Sequence, residues 1–309
     1  MKILITGSSG LIGSALKNAL EALQIEVIGH DVKIEPDHPD YGNILDPHSL
    51  SSKVNQVDGI IHLGAVSRVI DGQKNPDLCW KTNVEGTQNV VQAALYSEKR
   101  PWMIYASSRE VYGEQNALPV KETADLRPMN IYGKSKLEGE QAITFAQQEG
   151  LVACIVRFSN VFGSIYDHAD RVVPAFCRAA AEGLPLRVEG RDNLFDFTYL
   201  DDVIQGLVSL VRLLSCNNES LAPIHLTTGI GVTLYEIARF AQKASSHPIS
   251  IIDSPSRSFD VSRFYGDTTR AETVLNWKAC VTVEEGMRRL INQFRLYFEA
   301  QKTCNTVTL

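Results

Sequence analysis

No apolar run approaches 18 residues anywhere in the 309-residue sequence, and mean hydropathy is −0.09, so a membrane-spanning helix is excluded. Runs of one charge sign are absent too. Thirty basic residues stand against 36 acidic ones for a net charge of −6, without the basic stripe of a dedicated nucleic-acid binder. Cysteine is sparse. Cys79, Cys154, Cys177, Cys216, Cys280 and Cys304 form no C-x-x-C pair, which argues against a redox motif or a zinc knuckle. Reduced thiols of a cytoplasmic protein are the expectation. No internal repeat, low-complexity stretch or signal-peptide pattern occurs, and Met1–Gly7 runs straight into an apolar strand pattern, so a soluble chain is expected. What is present, 44% hydrophobic residues on a chain of this length, is enough for a sizeable core and about two domains.

Over the first 160 or so residues short apolar runs alternate with helical patterns. Strands are predicted at Lys2–Thr6, Glu26–His30, Gly59–Leu63, Met103–Ser107 and Ala153–Phe158. Helices are predicted at Leu11–Leu23, Asn83–Tyr96 and Tyr132–Gln148. Near-continuous apolar strands separated by helices imply a doubly wound α/β fold, a parallel sheet covered on both faces. Beyond Gly163 the pattern loosens into helices at Val172–Glu182, Asp202–Leu214, Leu234–Ala244 and Val283–Phe298. Short strands are expected near Leu186–Glu189, Ile224–Thr228 and Ile249–Ile252. A dinucleotide-binding domain over 1–164, rejoined by the chain at about 196–229, is therefore expected. A smaller mixed α/β lobe would comprise 165–195 and 230–309 and end in a frayed tail.

Thr6-Gly7-Ser8-Ser9-Gly10-Leu11-Ile12-Gly13 places three glycines between a strand and an amphipathic helix. Gly7 suits the tight turn, Gly10 the close approach of a pyrophosphate, and Gly13 the close packing of helix on strand. Free N–H groups at the helix start, from Leu11 onward through Ile12, face such phosphates. Asp31 follows the second strand, where a carboxylate accepts from the adenosine ribose diol and repels a 2′-phosphate, which favours NAD over NADP. The stretch from His30 to His48 holds three histidines and four aspartates, but its prolines and uneven spacing read as a polar loop and not as a metal site.

Tyr132 and Lys136 stand at i and i+4 of a predicted helix, one turn apart on one face. An ammonium beside a phenol favours the phenolate, giving a base for a substrate hydroxyl while hydride leaves the same carbon. Ser107-Ser108 end a strand on the ligand-binding edge of the sheet, where a serine hydroxyl is placed to hold the reacting oxygen.

The segments TGSSGLIG, HLGA, TNVEGT, SSREVYG, YGKSK, RFSNVFG and DFTYLDDV occur in that order. With them the chain resembles an extended short-chain dehydrogenase/reductase of the NAD-dependent epimerase/dehydratase family, whose members act on nucleotide sugars. The resemblance implies a Rossmann sheet and bound NAD, with Ser108, Tyr132 and Lys136 as the catalytic triad. It places Leu63, Gly64, Ala65 and Asn83 around the cofactor. Asn43 and Ile44 fall where the family usually has an adenine-contacting Asp and its apolar neighbour. Asn160 and Arg257 match residues that hold the sugar-nucleotide diphosphate. A homodimer through the helices at Asn83–Tyr96 and Tyr132–Gln148 is also implied.

Two positions depart from the family pattern. Members that remove a C5 proton usually show an acid or a small polar residue followed by Glu before V-Y-G. Here the pair is Arg109-Glu110, so the Glu is present without an elimination acid. At Phe195 most relatives have an arginine, and Glu189–Asn193 is shorter than usual. Arg191 is the nearest cation, expected to swing in and replace the lost one. The sequence thus favours an epimerase acting at C4 through a transient 4-keto sugar. A dehydratase or decarboxylase using Glu110 at C5, a 4-keto-sugar reductase and a non-catalytic dinucleotide sensor are the alternatives.

Overall fold

The computed structural model describes residues 1–255 and 261–307, with the backbone alone from 303 onward. The amino-terminal elements alternate as β1 (Lys2–Thr6), α1 (Leu11–Ala22), β2 (Glu26–His30), α2 (Pro47–Val54) and β3 (Gly59–His62). After α3 (Val69–Lys74) and α4 (Pro76–Trp80), Lys81–Glu85 form a π-helical turn that leads into α5 (Gly86–Tyr96). Then come β4 (Trp102–Ser108), α6 (Ile131–Gln148), β5 (Ala153–Phe158), β6 (Asn160–Phe162), α7 (Val172–Glu182) and β7 (Leu186–Glu189). The remainder is β8 (Leu194–Phe195), β9 (Phe197–Tyr199), α8 (Leu200–Cys216), β10 (Ile224–Leu226), β11 (Val232–Thr233) and α9 (Leu234–Ala244). It ends with β12 (Ile251–Ser254), β13 (Arg263–Phe264), α10 (Thr269–Leu275) and α11 (Val283–Val307).

Six strands build the central sheet in the order β10-β5-β4-β3-β1-β2, every neighbour parallel. Successive residues of a strand face opposite sides, and β1 shows both sides occupied. Ile3 and Ile5 pack with Leu16 and Leu20 of α1 and Val203 and Leu207 of α8, whereas Leu4 packs with Leu50 of α2, Val90 of α5 and Ile143 of α6. Burial on both faces is why these strands read as unbroken apolar runs. From β1 the chain goes outward to β2, and from β3 outward to β4 and β5. The crevice beyond the carboxyl ends of β1 and β3 is therefore the topological switch point, where ligands of such sheets sit.

A second core joins Phe176 and Ala180 of α7, Leu186 and Val188 of β7, Ile237 and Ala241 of α9, and Leu290 and Phe294 of α11. Its short pairings are β7 with β12, β8 with β11 and β13, and β6 with β9. Three expectations change. The predicted tail is helix through Val307, because Glu299-Ala300-Gln301-Lys302 are good helix formers that prolong α11. The strand expected at Ile249–Ile252 begins at Ile251, since Ile249 is spent as a buried residue of the second core. Ala271 and Trp277, expected in the carboxyl-terminal lobe, pack in the first core, where Trp277 Nε1 donates to the Asp202 carbonyl at 2.9 Å. No helix among the described residues is long and apolar enough to cross a membrane.

Candidate active site

Gly7 follows β1 with φ +71°, and a Cβ there would fall 2.7 Å from the Gly64 nitrogen, so two backbones meet across the switch point. A Cβ on Gly13 would lie 2.2 Å from the Gly7 carbonyl oxygen. Glycine is required at both positions by that contact. Gly10 caps α1 with no side chain, so the first amides of the helix, Leu11, Ile12 and Gly13 among them, are left for an anion. Asp31 stands beside this loop. It is buried and accepts from the Ser9 amide and the Lys33 amide, both at 2.9 Å, which leaves lone pairs on each oxygen for a further donor. This cradle fits a dinucleotide pyrophosphate and ribose.

The other expected cofactor residues surround the same crevice. The Leu63 and Gly64 amides donate to Thr6 at 3.1 Å each, which fixes the loop that continues into Ala65. Asn83 is fully buried. Its Oδ1 accepts from the Val66 amide at 2.8 Å, and its Nδ2 donates to the Val66 carbonyl at 3.0 Å and the Ser135 hydroxyl at 2.9 Å. It therefore clamps the loop after β3 onto α6. Asn43 Oδ1 caps its own turn by accepting from the Leu45 amide at 2.9 Å, and Ile44 is a core residue lying against Gly86. Two carboxylates of the 30–48 stretch are engaged locally: Asp40 accepts from Lys17 and the Gly29 amide, and Asp46 caps α2. Among the described residues no group of three or more His, Cys, Asp or Glu is placed to hold a metal.

Ser108 ends β4, and Tyr132 and Lys136 occupy the buried face of α6. Asn130 positions that helix. Its Oδ1 accepts from the Gly133 amide at 2.8 Å as an N-cap, while its Nδ2 donates to Glu110 Oε2 at 2.8 Å. Sequence reasoning passed over Asn130, although an Asn just before a helical pattern is a cap signal. Burial pushes the Tyr132 phenol up to about 12. The nearby Glu110 charge pushes the same way, against a hydrogen bond with Ser108 and the Arg171 charge. Burial also lowers Lys136 to about 8. The expected ammonium–phenol effect is not what this geometry displays: Lys136 Nζ donates to the Ala106 carbonyl at 2.9 Å and lies 5.1 Å from the Tyr105 ring centre.

Ser108, Glu110, Tyr132, Asn160 and Phe195 all line one cleft of about 360 Å3 between the two cores, together with Arg68, Arg109, Arg171 and Arg187. Asn160 is held there by the Asp196 carbonyl, which accepts its amide at 3.1 Å. Asp196 itself is fully buried. Its carboxylate accepts the Thr228 amide and hydroxyl, both at 2.8 Å, and the Gly229 amide at 2.9 Å, bonds that tie β9 to the turn after β10. Arg68, ahead of α3, is bonded to Asp170, ahead of α7, across the cleft. One expected cation is not brought in. Arg191 is not among the lining residues; it is paired with Asp253 at 2.8 Å and stacked 4.0 Å from the Tyr235 ring centre. Arg257 lies outside the described residues. The guanidinium actually over Phe195 is that of Arg109, 4.3 Å from the ring centre, a pairing that no spacing in the sequence announces.

Comparison with known proteins agrees with this architecture. A UDP-glucose 4-epimerase of Lactobacillus helveticus is 27% identical over 306 residues, covering 90% of this chain and 92% of that protein. UDP-glucuronic acid decarboxylase 1 of Danio rerio is 27% identical over 322 residues, 97% of this chain and 74% of that one. The solved structure of MoeE5 in complex with UDP-glucuronic acid and NAD superposes with a TM-score of 0.87 at 25% identity, over 96% of this chain and all of that one. The sequence profile of the NAD dependent epimerase/dehydratase family matches residues 3–218, so the chain belongs to that family.

Proposed function

We propose that the chain is a nucleotide-sugar 4-epimerase with resident NAD, held by the Gly7–Gly13 loop, Asp31 and the Leu63–Ala65 segment. The observation that carries this reading is that Ser108 and Tyr132 line one cleft, with Lys136 buried one turn along the same face of α6, beside a dinucleotide cradle at the switch point. NAD⁺ held there would supply a hydride acceptor and donor, together with a positive charge that favours the phenolate. Ser108 holds the sugar oxygen, Tyr132 takes the proton of the 4-hydroxyl, and the 4-keto sugar turns over before the proton is returned to the new alcohol. Lys136, buried beneath them, orients the site through the Ala106 carbonyl. Support for a homodimer comes from α5 and α6, which leave Tyr96 and Phe145 exposed.

Asp31 supports the choice of NAD. Asp31→Ala is expected to narrow the preference for NADH over NADPH by roughly ten- to a hundredfold, the worth of one charge-assisted interaction. Competitive titration of both nucleotides measures it. Equal affinity of the wild-type protein for NADH and NADPH would remove the ribose assignment.

Glu110 decides between epimerisation and chemistry at C5. Its Oε1 is paired with Arg109 at 3.0 Å and its Oε2 is bonded by Asn130, which commits one lone pair of each oxygen and fixes the direction of the carboxylate. Arg109 is permanently charged and cannot give a leaving water its proton. Glu110 nonetheless lines the cleft, which keeps dehydration or decarboxylation as the second reading. Turnover of UDP-, GDP-, dTDP- and CDP-sugars in D2O, read by NMR, is expected to give an inverted C4 and no deuterium at C5. Deuterium at C5, or a product lighter by water or carbon dioxide, would favour the second reading.

A further inference from the structure

We propose that Arg109 determines specificity by binding a carboxylate on the sugar, which makes the substrate class a nucleoside diphosphate uronate. The proposal rests on the nucleotide-sugar reading and adds a substrate class to it. Four described arginines line the cleft. Arg68 is answered by Asp170 and Asp71, Arg171 by Asp167 at 3.3 Å, and Arg187 approaches Glu189 at 4.0 Å. Arg109 is the most enclosed of the four, its side chain 11% exposed against 16%, 30% and 72%. Its Nη2 meets Glu110 at 3.0 Å, yet its Nη1 is buried with no hydrogen-bond partner among the described residues. A buried charged donor left unmet is costly, and such a donor in the wall of a ligand cleft calls for an acceptor from the ligand.

The fork is also pre-set. Stacking on Phe195 at 4.3 Å, with the Phe264 ring centre at 6.0 Å, holds the plane of the guanidinium, and Asn130 holds the Glu110 that pins its other arm. A planar pair of acceptors carrying negative charge suits a fixed planar fork better than a hydroxyl does. Position along the chain fixes which part of the substrate this is. Arg109 directly follows Ser108, which lines the cleft together with Tyr132, so the guanidinium stands at the reacting end of the cleft. The cations toward the diphosphate are then the remaining arginines, Arg68 and Arg171 just ahead of α3 and α7 and Arg187 on β7. Phe195 thus serves as the platform for a guanidinium carried by the residue just after β4.

The test is calorimetric titration of wild-type protein, Arg109→Gln and Arg109→Lys with the glucose and glucuronate forms of UDP, GDP, dTDP and CDP. Wild type should prefer the uronate of the nucleotide it accepts. Arg109→Gln should lose roughly ten- to a hundredfold in affinity for the uronate and little for the neutral sugar, erasing the preference. Arg109→Lys keeps the charge without the fork and should recover part of it, which also serves if the Gln variant folds poorly. A wild-type preference for the neutral sugar, or an equal loss on both forms, overturns the carboxylate assignment; the equal loss would place Arg109 on the diphosphate. Either result leaves the nucleotide-sugar reading intact. Failure of wild type to bind any of the eight compounds overturns that reading and this one together.

Discussion

Tyr132→Phe is expected to lower kcat by about 10²–10⁴-fold while leaving NAD affinity within a few-fold of wild type. The substitution removes only the hydroxyl. The ring, 8% exposed on the inner face of α6, keeps its packing, and the cap from Asn130 to the Gly133 amide is untouched. What disappears is the phenol hydroxyl, the group proposed to take the proton of the sugar hydroxyl. On the proposed reading, the surroundings of that phenol link the base to the cofactor. Burial drives its pKa up to about 12, so at neutral pH it rests protonated until positive charge enters the cleft. Single-turnover reduction of bound NAD by a substrate sugar checks the prediction. A variant retaining activity within tenfold of wild type would exclude Tyr132 as the base.

The parts of this site that were legible in the sequence are those encoded by local spacing. The Gly7–Gly13 loop and the i, i+4 pair of Tyr132 and Lys136 are patterns within one turn or one helix, and β1 through β5 lie where apolar runs predicted them, to within a residue. Contacts across the chain were not legible. Nothing near Arg109 indicates that its guanidinium will stack on Phe195, and nothing near Lys136 indicates that a carbonyl on β4 will take its ammonium. Arg191 illustrates the converse. Proximity in sequence to Phe195 suggested a replacement cation, but Asp253 on a neighbouring strand and the Tyr235 ring engage it first. Secondary structure follows from periodicity, whereas the assignment of charges to partners depends on the packing of elements far apart in sequence.

Arg157→Met is expected to destabilise the protein by about 3–5 kcal/mol, because it strands a buried carboxylate. Arg157 on β5 and Glu140 on α6 are each only 4% exposed at the side chain. Their pairing is bidentate, Nη2 to Oε2 at 2.6 Å and Nε to Oε1 at 2.8 Å. Ser107, the neighbour of Ser108, donates to the same Oε1 at 2.5 Å. The second Arg157 arm donates to the Tyr112 hydroxyl at 2.7 Å and to the Glu122 carbonyl at 2.8 Å, and Tyr112 is bonded in turn to His225. Glu140 is one turn beyond Lys136 on the same helix, so this network ties α6 to the ends of β4 and β5. Loss of Arg157 leaves Glu140 with the Ser107 hydroxyl as its remaining side-chain donor among the described residues. Glu140→Leu in the same chain removes the stranded charge, and an apolar pair of similar volume often matches a buried ion pair in stability. The double variant should therefore recover most of the loss in urea denaturation at neutral pH, while kcat stays depressed because Ser107 no longer holds α6 in register with Ser108. A single variant within about 1 kcal/mol of wild type, the range of exposed pairs, would show that solvent reaches the pair and that the helix is held by packing alone.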